Sequence, residues 1–155
     1  ITGEKRYLEL AEELAYYLAT WQYHYSVAFP KNSMAGELGV DTYGSTAVSA
    51  AHNALDHYGL WWVPEYVKLA ELTGKNIWRE RARALWYSGT QLISDGTLVV
   101  KGRVRPAGCQ DESIRHTRWG RPDNRYFITS EWCTGWQGTF RHLILETLDD
   151  WNILR

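Results

Sequence analysis

Two stretches of this chain match at an offset of 71 residues: ITGEKRYLELAEELA (1–15) lies over LTGKNIWRERARALW (72–86). The matched pairs are Thr2/Thr73, Gly3/Gly74, Tyr7/Trp78, Glu9/Glu80, Ala11/Ala82 and Leu14/Leu85. A weaker match sets STAVSAAHNALDH (45–57) over SEWCTGWQGTFRH (130–142), sharing Ser45/Ser130 and His57/His142. Self-similarity at a fixed spacing marks an array of one supersecondary unit, each copy covering the apolar face of the next. A chain of 155 residues has room for about two such units.

The unit reads as a pair of helices. Between residues 4 and 25, Tyr7, Leu10, Ala11, Leu14, Leu18, Trp21 and Tyr25 recur at steps of three and four, while Glu4, Lys5, Glu9, Glu12 and Glu13 mostly fall elsewhere. That is a helix with one apolar stripe, closed off by Pro30 and nearby glycines. A second helix is expected from about Thr46, with Ser45 or Thr46 as its N-cap, to Leu72; it carries few charges and should be largely buried. Pro64 must kink or restart it, since proline removes a backbone donor and crowds the preceding turn. Gly74 is suited to the left-handed cap at its end. A third helix should run from Asn76 to about Ile93 with RERAR (79–83) outward. GTLVVKGRVRP reads as a small β-hairpin, residues 107–129 as irregular. A fourth helix is expected from near Ser130, carrying Trp132, Trp136, Phe140, Leu143, Leu148 and Trp151.

The expected fold class is therefore all-α: helical hairpins with one small β-hairpin and long-loop insertion, in a single domain over residues 1–155. The nearly uncharged helices form an inner layer and the amphipathic ones cover it. Turns from inner to outer helix are short and use Thr-Gly. The return connections, 26–44 and 94–129, are long, and ordered loops beyond about 12–15 residues are more often functional than merely connecting. Both emerge at one end of the array.

With 45% hydrophobic and 23% charged residues the chain is of ordinary globular composition, and no apolar run reaches the length of a membrane span. A net charge of -1 argues against a general nucleic-acid or membrane-surface binder. Charge is uneven, however: residues 101–125 hold seven Lys and Arg against three acids. This stretch is either a solvated loop or the edge of a pocket that meets an anion. Two cysteines, Cys109 and Cys133, are too few for a disulfide framework and have no C-x-x-C spacing for zinc; they form one bridge or stay free.

The x-T-G-x-x-x-[YW]-x-x-x-A turn leading into an outer helix, alternating with a buried helix, resembles the (α/α) toroid of six-hairpin glycosidases and related polysaccharide lyases and sugar epimerases. The resemblance spans most of the chain as architecture. It implies that these hairpins are part of a larger toroid, with the remaining hairpins of the same protein, or further copies of it, as partners. It further implies a sugar cleft at the long-loop end, where Asp41, Tyr43, His52, Asp111, Glu112, Glu131, Trp132 and Trp136 fall, and an oligosaccharide as substrate. WCTGWQG (132–138) is similar to a segment of the lanthionine cyclases, whose C-H-G partner is missing, so neither a metal nor a cofactor is expected.

Glycoside hydrolysis needs two carboxyl groups flanking the scissile bond, one protonated and one ionised. The acids at the expected end are Asp41, Asp111, Glu112 and Glu131. Neighbours along an extended segment diverge, so a pair drawn from different segments is favoured: Asp111 or Glu112 with Glu131 or Asp41. Glu131 could equally be a helix-terminal acid and Asp41 a surface one. Among nine tryptophans and ten tyrosines, Trp21, Trp78, Trp86 and Trp151 read as core. Trp119, between Arg118 and Gly120, joins no stripe and is the candidate for stacking on a sugar ring. Arg115, Arg118 and Arg121 are suited to a carboxylate or sulfate, which makes uronate-containing oligosaccharides the substrate hypothesis. Tyr43 or His116 would serve as the base if the reaction were instead a lyase elimination. The rival from another class is a non-catalytic helical repeat that binds a protein or peptide.

Overall fold

The chain runs through α1 (Lys5–Ala19), a short α2 (Met34–Glu37), strands β1 (Thr46–Ala47) and β2 (Ala54–Asp56), a 3-10 turn (Tyr58–Trp62), α3 (Val63–Thr73) and α4 (Asn76–Thr90). Strands β3 (Val99–Val100), β4 (Arg103–Val104), β5 (Asp111–Arg115) and β6 (Phe127–Cys133), helix α5 (Gly135–Thr147) and a closing 3-10 turn (Trp151–Leu154) follow. This computed structural model describes residues 3–31, 33–47, 54–56, 58–100, 102–115, 127–133, 135–148 and 151–154; at 34, 54–56, 112–115, 127–133, 135–137, 151 and 153 it describes the backbone. Among the described residues no helix is long and apolar enough to cross a membrane.

The 71-residue repeat is realised in the backbone. Helices α1 and α4 each have 15 residues and begin and end at matching positions. The glycines that precede them, Gly3 and Gly74, have φ of 73° and 70°. At Gly74 this left-handed residue is the cap of α3, its N–H returning to the Ala70 carbonyl at 2.9 Å. The hairpin expected over 96–106 forms as the antiparallel pair β3/β4, with Val99 opposite Val104.

All four expected helices are shorter than their patterns: the first stops at Ala19, short of Tyr25, and the third at Thr90, short of Ile93. The second does not begin near Thr46. That segment is strand: Thr46 pairs with Asp56, and β2 pairs in turn with β5. β2 thus finds backbone partners on both edges, and such tertiary pairing overrides the weak local helix preference. The helix restarts at α3, where Pro64 sits in the first turn and its missing N–H costs nothing. The fourth helix starts at Gly135 rather than near Ser130, because FITSEWC, rich in β-branched and aromatic residues, pairs with β5 as β6. The result is helix-rich, with a four-stranded antiparallel sheet in the order β1-β2-β5-β6 beside the hairpin.

The main core lies where α3, α4, α5 and the two 3-10 turns meet. Trp78 and Tyr66 stack at its centre, ring centroids 5.4 Å apart. Burial pushes the Tyr66 phenol up to about 12, and its Oη donates to the Ala15 carbonyl of α1 at 3.4 Å. Trp78 Nε1 donates to Glu12 (3.2 Å), whose carboxyl is held below its ordinary value chiefly by Lys75. Trp78 is core as expected; Trp86 packs partly buried against the same cluster and Trp21 is half-buried. Trp151 lies where the side chains are not described.

Helix α1 differs from its pattern in a further respect, the face it buries. The stripe that should be its buried face, Tyr7, Leu10, Ala11 and Leu14, is exposed. It rests on the core through Ala15 and Leu8 instead, the small Ala15 permitting close approach to Tyr66, while Ala19 is also buried.

Candidate functional site

Both long connections converge on the C-terminal end of α4. Gln91, just beyond the helix, accepts from the Asp41 N–H and donates to the Asp41 carbonyl, both at 2.8 Å. Its side-chain amide copies a backbone pairing and fixes the first loop. From the second loop, Gln110 donates both amide hydrogens, to the carbonyls of Gly89 (2.8 Å) and Gln91 (2.6 Å), and accepts from Arg141 of α5. The last carbonyls of a helix lack intrahelical partners; here one buried glutamine satisfies two near the end of α4. Ala35 and Val40 of the first loop share a small apolar core with Val100 of the second. The expectation that the loops lie at one end therefore holds.

Ser94 folds the second loop back on itself. Its N–H donates to the Cys109 carbonyl (2.7 Å), its carbonyl accepts from Gly108 (2.7 Å), and its Oγ donates to the Arg105 carbonyl (2.8 Å) and accepts from Gly96 (3.0 Å). This places Arg105 against Asp111, the first residue of β5. Arg105 Nη2 donates to Asp111 Oδ2 at 3.1 Å, and Nε lies 3.1 Å from Oδ1. Both side chains are largely buried. Asp111 is therefore tied to the strand mouth as an anchor, within the same turn of chain as Gln110.

Cys109 is disulfide-bonded. The chain's other cysteine is Cys133, whose backbone stands opposite Asp111 in the β5/β6 pair. A bridge of this kind stabilises mainly by restricting the unfolded chain, here by about 2–4 kcal/mol. Reduction under native conditions should accordingly lower the urea midpoint by that equivalent; an unchanged midpoint with fully alkylated thiols would show the bridge to be energetically idle.

The β5/β6 register contains the feature of greatest chemical interest. Asp111 pairs with Cys133 and Ser113 with Thr129, so two steps along β5 are matched by four along β6. Glu112 is the residue between the first pair, and Glu131 is the middle of the three residues across from it. Two carboxylate-bearing positions from separate segments are thus at one level of the sheet. Such a two-sided irregularity is a bulge, which bends the strand locally and is common beside active sites. Arg141, held on Gln110 two residues before Glu112, adds a half-buried guanidinium whose pKa burial lowers.

The other predicted residues are distributed as follows. Asp41 is exposed, and its Oδ1 accepts from the Tyr43 N–H at 2.9 Å, forming a local turn. Tyr43 is exposed beside it. Arg115 ends β5, its backbone opposite Ala54 and Phe127. Trp132 lies in β6 next to Glu131 and Trp136 in the first turn of α5. His52, His116, Arg118, Trp119 and Arg121 lie outside the described residues. Among the described residues no group of three or more His, Cys, Asp or Glu is placed to hold a metal ion. The polar residues that hold the site together, Gln91, Gln110, Arg105 and Arg141, were not legible in the sequence as such. The partners through which Gln91, Gln110 and Arg141 tie separate segments together lie between 19 and 50 residues away, and no local pattern marks them. Arg105 could be found only as one of seven basic residues in its stretch.

No family model, curated protein or solved structure matches this chain.

Proposed function

We propose that this chain is a carbohydrate-active protein, part of a glycoside hydrolase whose acid/base pair is Glu112 and Glu131. The observation that carries the reading is the register of β5 and β6, which sets these two residues across from each other in the irregular stretch between Asp111/Cys133 and Ser113/Thr129. Directly opposed residues of an antiparallel pair have Cβ atoms about 4.5–5.5 Å apart. Glu112 and Glu131 fall in the stretch where that regular pairing is interrupted, and glycosidase carboxyl groups stand about 5–9.5 Å apart. In the reaction one carboxyl protonates the glycosidic oxygen as the C–O bond breaks. The other assists water or attacks the anomeric carbon, so that one water is added across the bond in total.

The surroundings suit an acidic oligosaccharide. Arg141 supplies a half-buried cation at the start of β5, and Arg115 ends that strand. A guanidinium meets a carboxylate or sulfate through two parallel N–H donors, which distinguishes such groups from hydroxyls. Membership of a larger (α/α) toroid belongs to the same proposal and is supported by the matched helices and glycine turns of the 71-residue repeat.

The test is to expose the purified native protein to neutral and uronate-containing oligosaccharides while following new reducing ends. Glu112→Gln and Glu131→Gln variants are run in parallel. Each variant should retain the wild-type melting midpoint and lose turnover. Cleavage at the wild-type rate by both variants would overturn the assignment, and so would the absence of any cleaved oligosaccharide. Formation of an unsaturated uronyl product without added water would move the chemistry to elimination.

A further inference from the structure

The repeat allows each position of α1 to be compared with its counterpart in α4. In α4 the stripe Trp78, Ala82 and Leu85 is 0%, 0% and 2% exposed. Its counterparts in α1 are Tyr7, Ala11 and Leu14, of which Tyr7 is 48% and Leu14 55% exposed, with Tyr17 at 60% continuing the row. The same apolar pattern, on a helix of the same length and phase, is thus covered in one copy and bare in the other. What covers it in α4 is visible: α3 turns through Thr73 and Gly74 and lays Tyr66 on Trp78.

Gly3 carries the second observation. Its φ of 73° reproduces the 70° of Gly74, and a Cβ at either would meet nothing within 4 Å. Crowding therefore does not account for glycine at either position. At Gly74 the left-handed conformation has a purpose, the capping of a helix by a bond from its N–H to Ala70. The residues leading to Gly3 match as well, Ile1-Thr2 standing where Leu72-Thr73 ends α3.

We infer that the bare stripe of α1 is the seat of a helix like α3 in chemistry, joined to α1 through the turn at Gly3 and contributed by the same polypeptide. The seat continues an interface already formed. α1 packs on α3, accepting from Tyr66 at the Ala15 carbonyl, and sets Tyr16 against Trp78, ring centroids 4.7 Å apart, so a helix on its other face extends the packed group of α4, α3 and α1 by one member. The occupant needs apolar residues at steps of three and four, as Val63, Tyr66, Val67 and Ala70 are in α3, and a Thr-Gly end. The inference rests on the larger helical-hairpin array of the proposed function and is independent of the chemistry at Glu112 and Glu131.

Tyrosine nitration followed by peptide mass analysis reads the stripe without mutation. It is applied to the polypeptide expressed from its complete gene and to the 155-residue chain. Tyr87, 57% exposed on α4, is the internal standard. Relative to Tyr87, Tyr7 and Tyr17 should be modified at least tenfold more slowly in the complete polypeptide than in the 155-residue chain, at every protein concentration. A Leu14→Cys variant alkylated with a maleimide gives a second reading of the same face. Equal rates in the two proteins would overturn the inference. Protection that grows with concentration would overturn it too, by assigning the face to a second copy, and so would an intact mass showing no helix-length segment ahead of Gly3.

Discussion

Asp111→Ala should cost about 3–5 kcal/mol of folding stability, since it takes the carboxylate from a largely buried guanidinium. The magnitude comes from desolvation. Arg105 is brought to Asp111 by the Ser94 clamp, and both charges have left most of their water behind. The pair as a whole is worth less than either truncation suggests, because its attraction is largely offset by that desolvation. Replacing both partners by apolar residues separates the two. Arg105→Met with Asp111→Leu should recover most of the stability lost by Asp111→Ala alone, as judged by urea midpoints at constant slope. A single variant within about 0.5 kcal/mol of wild type would mean that the strand mouth is held by Gln110 without help from the ion pair.

Gly44→Ala should be comparably severe for a different reason. Gly44 has φ of 81°, and a Cβ there would stand 2.1 Å from the Ala84 carbonyl oxygen of α4. The left-handed backbone costs an alanine about 1–2 kcal/mol, and overpacking against a rigid helix adds about 1–3 kcal/mol. The control is Gly39→Ala, whose φ of 65° is similar but whose Cβ would meet nothing; it should show the backbone part only. If the two substitutions shift the melting midpoint equally, the close crossing of the first loop over α4 does not exist in solution.

How much of this was legible follows from the range of each signal. The phase of α1 and α4 was readable because helix periodicity is local and the two copies corroborate each other. The small hairpin was readable for the same reason. The four-stranded sheet was not, since β1 and β2 have two and three residues and β2 takes its second partner from β5, more than fifty residues on. A strand that short has no alternation to read. For the candidate site, the acids were found by type and the irregular register then grouped two of them. Asp41 and Asp111 have structural partners, Tyr43 N–H and Arg105, that no spacing announces. The exposed stripe of α1 is the opposite case: its periodicity marks a helix, but the face it predicts to be buried is not the one that meets the core.

The bond at Cys109 also bears on where such a chain can be made. Disulfides of this kind form and persist in oxidising surroundings and are rare where glutathione and thioredoxin keep thiols reduced. Synthesised in a reducing cytosol, the chain would reach its sheet without the staple beside Gln110 and Asp111. A production host that exports the chain to an oxidising compartment is thus the one expected to deliver it with β5 and β6 locked in the register on which the proposed chemistry depends.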